Sequence, residues 1–396
     1  MSTTWINPKI IIGNTATGDY YFPRPQIEAD IWEEIEKGNH VLIAAPRRVG
    51  KSSVMISMTE NCPENTQCIF QNIQGVQSEE EFYKKFFELI VQCLGKFQKG
   101  TNWLTKFFKD ITIEEVTLEG VKFGDKKPTN YVEEINKVLP KLAQNNVKVV
   151  LLLDELPEIL IHLNKKNRKD EASSILNNLR EWRQNKDIRN HFSLVLAGSV
   201  GIHHIVKTIE GRTADINDFG IVDFDALLQE DAQSYVLWAT GGATVRYNEA
   251  LKTHLLSKIN YFIPYFINLM LDEINKVARK AHNPNITIAN IDTAFNEIVK
   301  TSDHFKEWKS RIFDYFPIDE ANFLYESLVY MAHKDRINKR QLYDLALKHN
   351  KKNNYIELIQ GLERDGYIME QGESYVFVSP FLKAFWKKDN PIYDGI

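Results

Sequence analysis

Apolar positions along this 396-residue chain change their period repeatedly, and each change marks a different kind of element. Residues 26–37 place Ile27, Ile31, Trp32 and Ile35 on one face, the spacing of an amphipathic helix. Residues 41–44 then form a short unbroken apolar run, followed by a helical run at 53–58, a strand at 67–73 and a helix at 78–94. That helix opens on Ser78 and three acids, Glu79, Glu80 and Glu81, which suits a capped N-terminus. Residues 111–123 alternate loosely and carry Glu119-Gly120, which predicts an inserted β-hairpin. A helix at 131–144 leads into the apolar run 149–153, a helix follows at 170–185, and a further core strand at 192–199 ends in the small polar Ser199. Continuous apolar strands alternating with helices predict a parallel sheet buried on both faces.

From about residue 227 the helical period stands alone, over 229–239, 250–259, 264–281 and 287–300. Gly241-Gly242 is no linker, because both flanks are strongly periodic. Residues 320–333, 339–349 and 355–365 read as three helices, and 367–378 as a hairpin turning at Gln371-Gly372. Three helices and a hairpin describe a winged helix. The expected organisation is therefore an α/β core with a parallel sheet and helices on both faces (1–226), a helical lid (227–316) and a winged-helix domain (317–396).

Composition adds exclusions. Hydrophobic residues at 43% and charged residues at 26% are ordinary for a globular protein of two or three domains. No apolar run approaches the ~20 residues of a membrane span. The first residues lack a basic segment and a long apolar stretch, so no signal peptide is expected and a cytoplasmic location is the default. Three cysteines, Cys62, Cys68 and Cys93, are too few and too scattered for a disulfide framework. His203 and His204 are adjacent and would point about 100° apart on a helix, which disfavours a metal site there. A net charge of −4 provides no global basic field for nucleic acid.

The chemistry sits at two strand ends. The strand at 41–44 runs into Ala45, Pro46, Arg47, Arg48, Val49, Gly50, Lys51, Ser52 and Ser53, the spacing of a phosphate loop. Backbone N–H groups of such a loop and of the helix that follows surround the α- and β-phosphates of a nucleotide. Lys51 would reach the β/γ oxygens, and the Ser52 hydroxyl would ligate Mg²⁺. Ala45 replaces the usual first glycine, which requires a negative φ there. About a hundred residues on, the strand ending at Leu153 delivers Asp154 and Glu155 to its carboxyl end, where ligands of open α/β sheets bind. Asp154 would hold Mg²⁺ through water, and Glu155 would orient and deprotonate the attacking water.

This succession resembles the bacterial and archaeal P-loop ATPases of the STAND and archaeal-ATPase group, a branch of the AAA-type superfamily distantly related to origin-recognition ATPases. The resemblance covers nearly the whole chain. Its carriers are Phe22-Pro-Arg24, the loop at 45–53, Leu-Leu-Leu-Asp-Glu-Leu-Pro157, Leu-Ala-Gly-Ser-Val-Gly201, Ile-Pro-Tyr-Phe-Ile267 and the closing Tyr-Val-Phe-Val-Ser-Pro-Phe-Leu382. It implies ATP or ADP with Mg²⁺ as ligands and Ser199 at the sensor position near the γ-phosphate. It also implies a lid beginning at Pro264 against the adenine, with Phe22 to Arg24 closing the other side; core packing is the rival role for Phe22. For an arginine finger Arg212 is the first choice, with Arg180 and Arg183 as rivals. Arg47 or Arg48 would face the nucleotide or a neighbouring subunit.

Two functions compete on these grounds. One is an ATP-hydrolysing regulatory switch, slow without a partner, that acts on a protein or on further copies of itself. The other is an ATP-dependent DNA-binding protein of the origin-recognition type. Residues 318–396 carry 11 Lys/Arg and 12 Asp/Glu, a net of −1, and the helix at 354–365 sets Glu357, Glu363 and Asp365 against Arg364. A DNA reader would show a basic face, so the switch is favoured. Lys348, Lys351 and Lys352, with Lys387 and Lys388, are the remaining candidates for phosphate contact.

Overall fold

The computed structural model describes residues 4–96, 106, 108, 109, 113–116, 121–123, 130–198, 202–213, 216–301 and 303–393. These form two compact units: one of residues 23–44 and 51–224, the other of residues 1–22, 45–50 and 225–396.

The first unit is built on a sheet of five strands among the described residues, β1 (Val41–Ala44), β2 (Thr66–Asn72), β5 (Lys148–Asp154), β6 (Phe192–Gly198) and β7 (Gly220–Ile221). Their order is β2-β5-β6-β1-β7, with every neighbouring pair parallel. Around the sheet run α1 (Pro25–Glu36), α2 (Lys51–Glu60), α3 (Glu79–Lys96), α4 (Tyr131–Gln144), α5 (Leu156–Lys165), α6 (Lys169–Gln184) and α7 (Ile202–Glu210). All seven residues of β6 are buried, as expected of a central strand covered on both faces. The expected hairpin is present as β3 (Ile113–Val116) paired antiparallel with β4 (Val121–Phe123); its turn lies outside the described residues. One expectation is corrected: Cys62 and Cys68 form a disulfide, their Cα atoms 6.2 Å apart. The two are close in sequence, and the turn that leads from α2 into β2 brings them together, which counting cysteines does not reveal. Cys93 is free and buried.

Just ahead of β1, His40 is 4% exposed, and its Nδ1 accepts the Leu194 N–H at 2.9 Å. Burial, reinforced by the nearby Arg183 charge and opposed by Asp218, pushes its pKa down to about 3. A histidine whose pKa falls on folding takes up a proton on unfolding, so its contribution is complete above the unfolded value of about 6.5 and is lost as pH falls. Urea unfolding of the chain at pH 7 and pH 5 should show about 2 kcal/mol of stability lost through this group. Replacing His40 with glutamine should flatten that slope; an unchanged slope would assign the acid sensitivity elsewhere.

In the second unit the helical period resolves into α8 (Gln229–Thr240), α9 (Glu249–Ile259), α10 (Pro264–Lys280), α11 (Ile288–Thr301) and α12 (Lys306–Tyr315). These are followed by α13 (Ile318–Lys334), β8 (Ile337–Asn338), α14 (Lys339–Lys348), α15 (Tyr355–Arg364), β9 (Ile368–Gln371), β10 (Ser374–Phe377) and α16 (Pro380–Asp389). The three strands form an antiparallel sheet in the order β8-β10-β9, with the predicted turn at Gln371-Gly372. Asn338 begins α14 with a capping box, its side chain accepting from Gln341 N–H while the Gln341 side chain accepts from Asn338 N–H. The segment expected as a lid and the segment after it share one aromatic core. Phe381 packs on Phe266, Phe295 and Phe305 at centroid distances of 5.5, 4.8 and 5.7 Å. Tyr367 lies edge-on to Trp308 at 5.2 Å and donates its hydroxyl to the Trp308 carbonyl at 2.7 Å. Among the described residues no helix is long and apolar enough to cross a membrane.

Candidate functional site

Register brings the chemistry of the first unit to one sheet edge. Strand β6 lies between β1 and β5 and pairs Gly198 with Ala44 on one side and Ala197 with Asp154 on the other. The strand that leads into the phosphate loop and the strand that carries the carboxylates therefore end level with each other. Lys51 opens α2 at 6% exposure, Asp154 is 2% exposed and Glu155 8%. Asp154 Oδ2 accepts a short hydrogen bond from the Ser52 hydroxyl, and its Oδ1 accepts the Glu155 N–H at 3.0 Å. Glu155 N–H also donates to the Ala197 carbonyl at 2.9 Å. Its φ of 63° puts a non-glycine residue in the left-handed region immediately before α5. Such strain, of order 1–3 kcal/mol, persists only where surroundings hold it, and here strand pairing on one side and Pro157 in the first turn of α5 on the other do so. A serine hydroxyl against a buried carboxylate is a hard-oxygen donor set of the kind Mg²⁺ takes.

The loop itself, residues 45–50, belongs to the second unit. Ala45 is absent from the residues of positive φ, so the alanine in place of glycine fits as required. Gly50 has φ 108°, a conformation that demands glycine, and Arg48 stands at φ 64°. Both arginines turn to one acid. Arg47 Nη1 makes a short ion pair with Glu307 Oε1, and Arg48 Nη2 reaches Oε2 of the same carboxylate at 2.7 Å. The Arg48 guanidinium also lies 3.9 Å from the centroid of the Tyr265 ring. Burial pushes the Tyr265 pKa up, and the Arg48 charge partly offsets this. A narrow cleft borders Arg47, Arg48, Glu307, Trp308, Arg311 and Tyr367. Pro46 packs on Gly366, whose φ is 73°; a Cβ there would sit 3.0 Å from the Pro46 Cβ and from the Tyr261 hydroxyl.

The other expected residues are dispersed. Ser199 lies outside the described residues. Arg212 is exposed just beyond the end of α7, and Arg180 is half-buried on α6. Arg183 is buried: it pairs with Asp218 at 2.9 Å and stacks on Phe219 at 4.0 Å, an internal role that leaves it no surface to offer a neighbour. Phe22 packs edge-on to Tyr235 and Trp238 at 5.1 and 5.4 Å, within the second unit. Arg24 lies 5.6 Å from the Phe224 ring in the first. Pro264 occupies the first turn of α10, where its missing N–H costs nothing. The sequence reading gave Glu307 no role, and Tyr265 only a place in the Ile-Pro-Tyr-Phe-Ile267 helix entry.

Comparison with known proteins fits this geometry. Residues 28–208 match the AAA-ATPase-like family, described as predicted AAA-ATPase. The fold is similar to that of the Walker-type ATPase PABY2304 of Pyrococcus abyssi, at 14% identity over 96% of this chain and 99% of that one, with a TM-score of 0.63. It is also similar to the Aeropyrum pernix ORC2 protein, solved as ADPNP-ADP complexes, at 12% identity over 92% of this chain and 91% of that one, with a TM-score of 0.52. No curated protein matches the sequence. With the phosphate-loop strand, the Asp154-Glu155 strand end and the β2-β5-β6-β1-β7 order already in place, the match of residues 28–208 to the predicted AAA-ATPase family and the likeness to these structures agree on a P-loop NTPase fold.

Proposed function

We propose that the chain binds ATP with Mg²⁺, hydrolyses it to ADP and phosphate, and uses the nucleotide as a conformational switch read by a C-terminal winged helix. The observation that carries this reading is the membership of residues 45–50 in the same compact unit as residues 225–396. A loop that receives phosphates and also packs through Pro46 on Gly366 can pass occupancy to the C-terminal helices without an intermediary. Lys51 would hold the β- and γ-phosphates, Ser52 and Asp154 would hold the metal, and Glu155 would take the proton of the attacking water. Mg²⁺ would neutralise charge on the phosphate oxygens. The ADPNP and ADP of the Aeropyrum pernix ORC2 complexes support the choice of adenine nucleotide. A protein partner, or further copies of this chain, would receive the switch.

The element order α13, β8, α14, α15, β9, β10 supports the winged-helix assignment. DNA binding is the second reading, the one the resemblance to origin-recognition ATPases implies. Side-chain pairing weighs against it. Lys348 and His349 both bond Glu326 at 2.6 Å, Lys351 pairs with Asp319, Lys383 with Asp335 and Lys339 with Glu370, each at the expense of a face for phosphates. Lys388 caps the carbonyl of Lys300.

Hydrogen exchange separates the two. ATP·Mg²⁺ should slow exchange of backbone amides within residues 318–390 of the full chain, because binding energy specific to the closed state shifts that population. Exchange indifferent to ATP, together with duplex affinity that falls steeply with salt, would instead make the chain a DNA reader, since phosphate contacts release condensed counterions.

A further inference from the structure

Arg47 and Arg48 are consecutive residues of the phosphate loop, and a phosphate loop works through its backbone N–H groups, so the conformation of this stretch decides how well phosphates are received. Arg48 is held in the left-handed region at φ 64°, a backbone state that an arginine leaves when nothing retains it. Two side chains retain it. The Glu307 carboxylate spans Arg47 and Arg48 with one oxygen each, and the Tyr265 ring lies under the Arg48 guanidinium at 3.9 Å. Both come from helix first turns, Glu307 on α12 and Tyr265 on α10. A carboxylate is favoured at that position by the helix dipole, so the acid is held where the two cations need it. Tyr265 is 7% exposed, and its ring packs against Phe266 at a centroid distance of 5.9 Å.

We infer that Glu307 and Tyr265 form a clamp that pre-organises the phosphate loop for nucleotide, and that the same clamp couples nucleotide occupancy to helices α10 and α12. The inference rests on the proposed nucleotide binding and deepens it. Pre-organisation raises affinity by removing the ordering cost from the binding step, and coupling is reciprocal: a clamp that favours nucleotide is itself tightened by nucleotide. Glu307 touches no reacting group and is a positioning residue. Its loss is expected to act on KM and on the dissociation rate, with kcat at saturation little changed.

The test uses the full chain and its Glu307→Ala, Glu307→Gln, Tyr265→Leu and Tyr265→Phe variants. Fluorescent N-methylanthraniloyl-ATP with Mg²⁺ is the probe, and the melting temperature checks folding. Glu307→Ala and Tyr265→Leu should each weaken probe affinity about tenfold, mainly through faster dissociation, with Glu307→Gln between them and the parent. Tyr265→Phe keeps the ring and should stay near parental affinity. Without nucleotide, amides of residues 47–50 should exchange faster in Glu307→Ala than in the parent. Parental or tighter affinity in Glu307→Ala would overturn the inference, as would parental exchange of the loop. Should the parent itself fail to bind the probe, the nucleotide reading falls on that result alone, while loop exchange without nucleotide still decides whether the clamp exists.

Discussion

Lys51→Ala is expected to abolish nucleotide binding within the range a titration can reach. Lys51 stands at the start of α2 with 6% of its surface exposed, so its ammonium meets an incoming phosphate in surroundings that screen charge weakly. Truncating one partner of such a buried charge pair costs about 2–5 kcal/mol, or roughly thirtyfold to several thousandfold in Kd. The remaining donors of the loop are backbone groups, which orient a phosphate without supplying a full charge. Neither Arg47 nor Arg48 is expected to replace Lys51, because Glu307 already engages both. Equilibrium titration of parent and variant with labelled ATP and Mg²⁺ checks this, with melting temperature as the control for folding. Equal affinity in the two would remove the phosphate-loop assignment.

The parts of the site legible in the sequence are those whose geometry is local or set by a strand end. An unbroken apolar strand fixes where its C-terminal residue emerges, so Asp154 and Glu155 could be placed at the sheet edge before the sheet was seen, and the parallel register does place Asp154 beside Ala197. Pro264 likewise announced a helix start, since proline fits the first turn and little else. The arginines were another matter. A sequence shows that Arg183 is helical and charged, yet its burial against Asp218 and Phe219 depends on residues 35 and 36 positions away, with no periodicity to mark them. Glu307 is further removed still, about 260 residues from the loop it engages. No helix was expected over residues 306–315, so nothing marked Glu307 as the first-turn acid it is. The membership of residues 45–50 in the C-terminal unit was equally hidden, because hydrophobic period assigns a loop to no partner.

Those hidden contacts change what the legible motifs mean. Taken from sequence alone, the phosphate loop is a receptor for nucleotide attached to a sheet. Its arginine ties to Glu307 and its Pro46 packing on Gly366 make it also a structural part of the unit that contains the aromatic core around Phe381. Binding energy at the loop is thereby available to α12 and α15, whereas a loop packed only on its own sheet would spend it locally.

Glu155→Gln is expected to separate binding from turnover. The substitution keeps the size of the side chain and leaves untouched the backbone N–H that donates to Asp154 and to Ala197, so the turn at φ 63° and the hydrogen bond between Ser52 and Asp154 should persist. ATP affinity should then remain within about threefold of the parent, the scale of a neutral polar exchange that leaves the contacts intact. What the amide cannot do is accept a proton from water. Loss of a general base lowers turnover by about two to four orders of magnitude, equivalent to roughly 2.7–5.5 kcal/mol of transition-state stabilisation. The contrast with Lys51→Ala is diagnostic, since that variant should fail at binding and this one only at chemistry. Phosphate release under single-turnover conditions, with the enzyme in excess over ATP, measures the step free of product release. A parental single-turnover rate in Glu155→Gln would show that Glu155 is not the base. The attacking water would then have to be held by another group, for which Ser199, the residue after Gly198 in the sequence, is the first candidate to substitute. Trapping of ATP by the glutamine variant, with the C-terminal amides held in their slow-exchanging state, would place hydrolysis after closure and make Glu155 the residue that ends the signal.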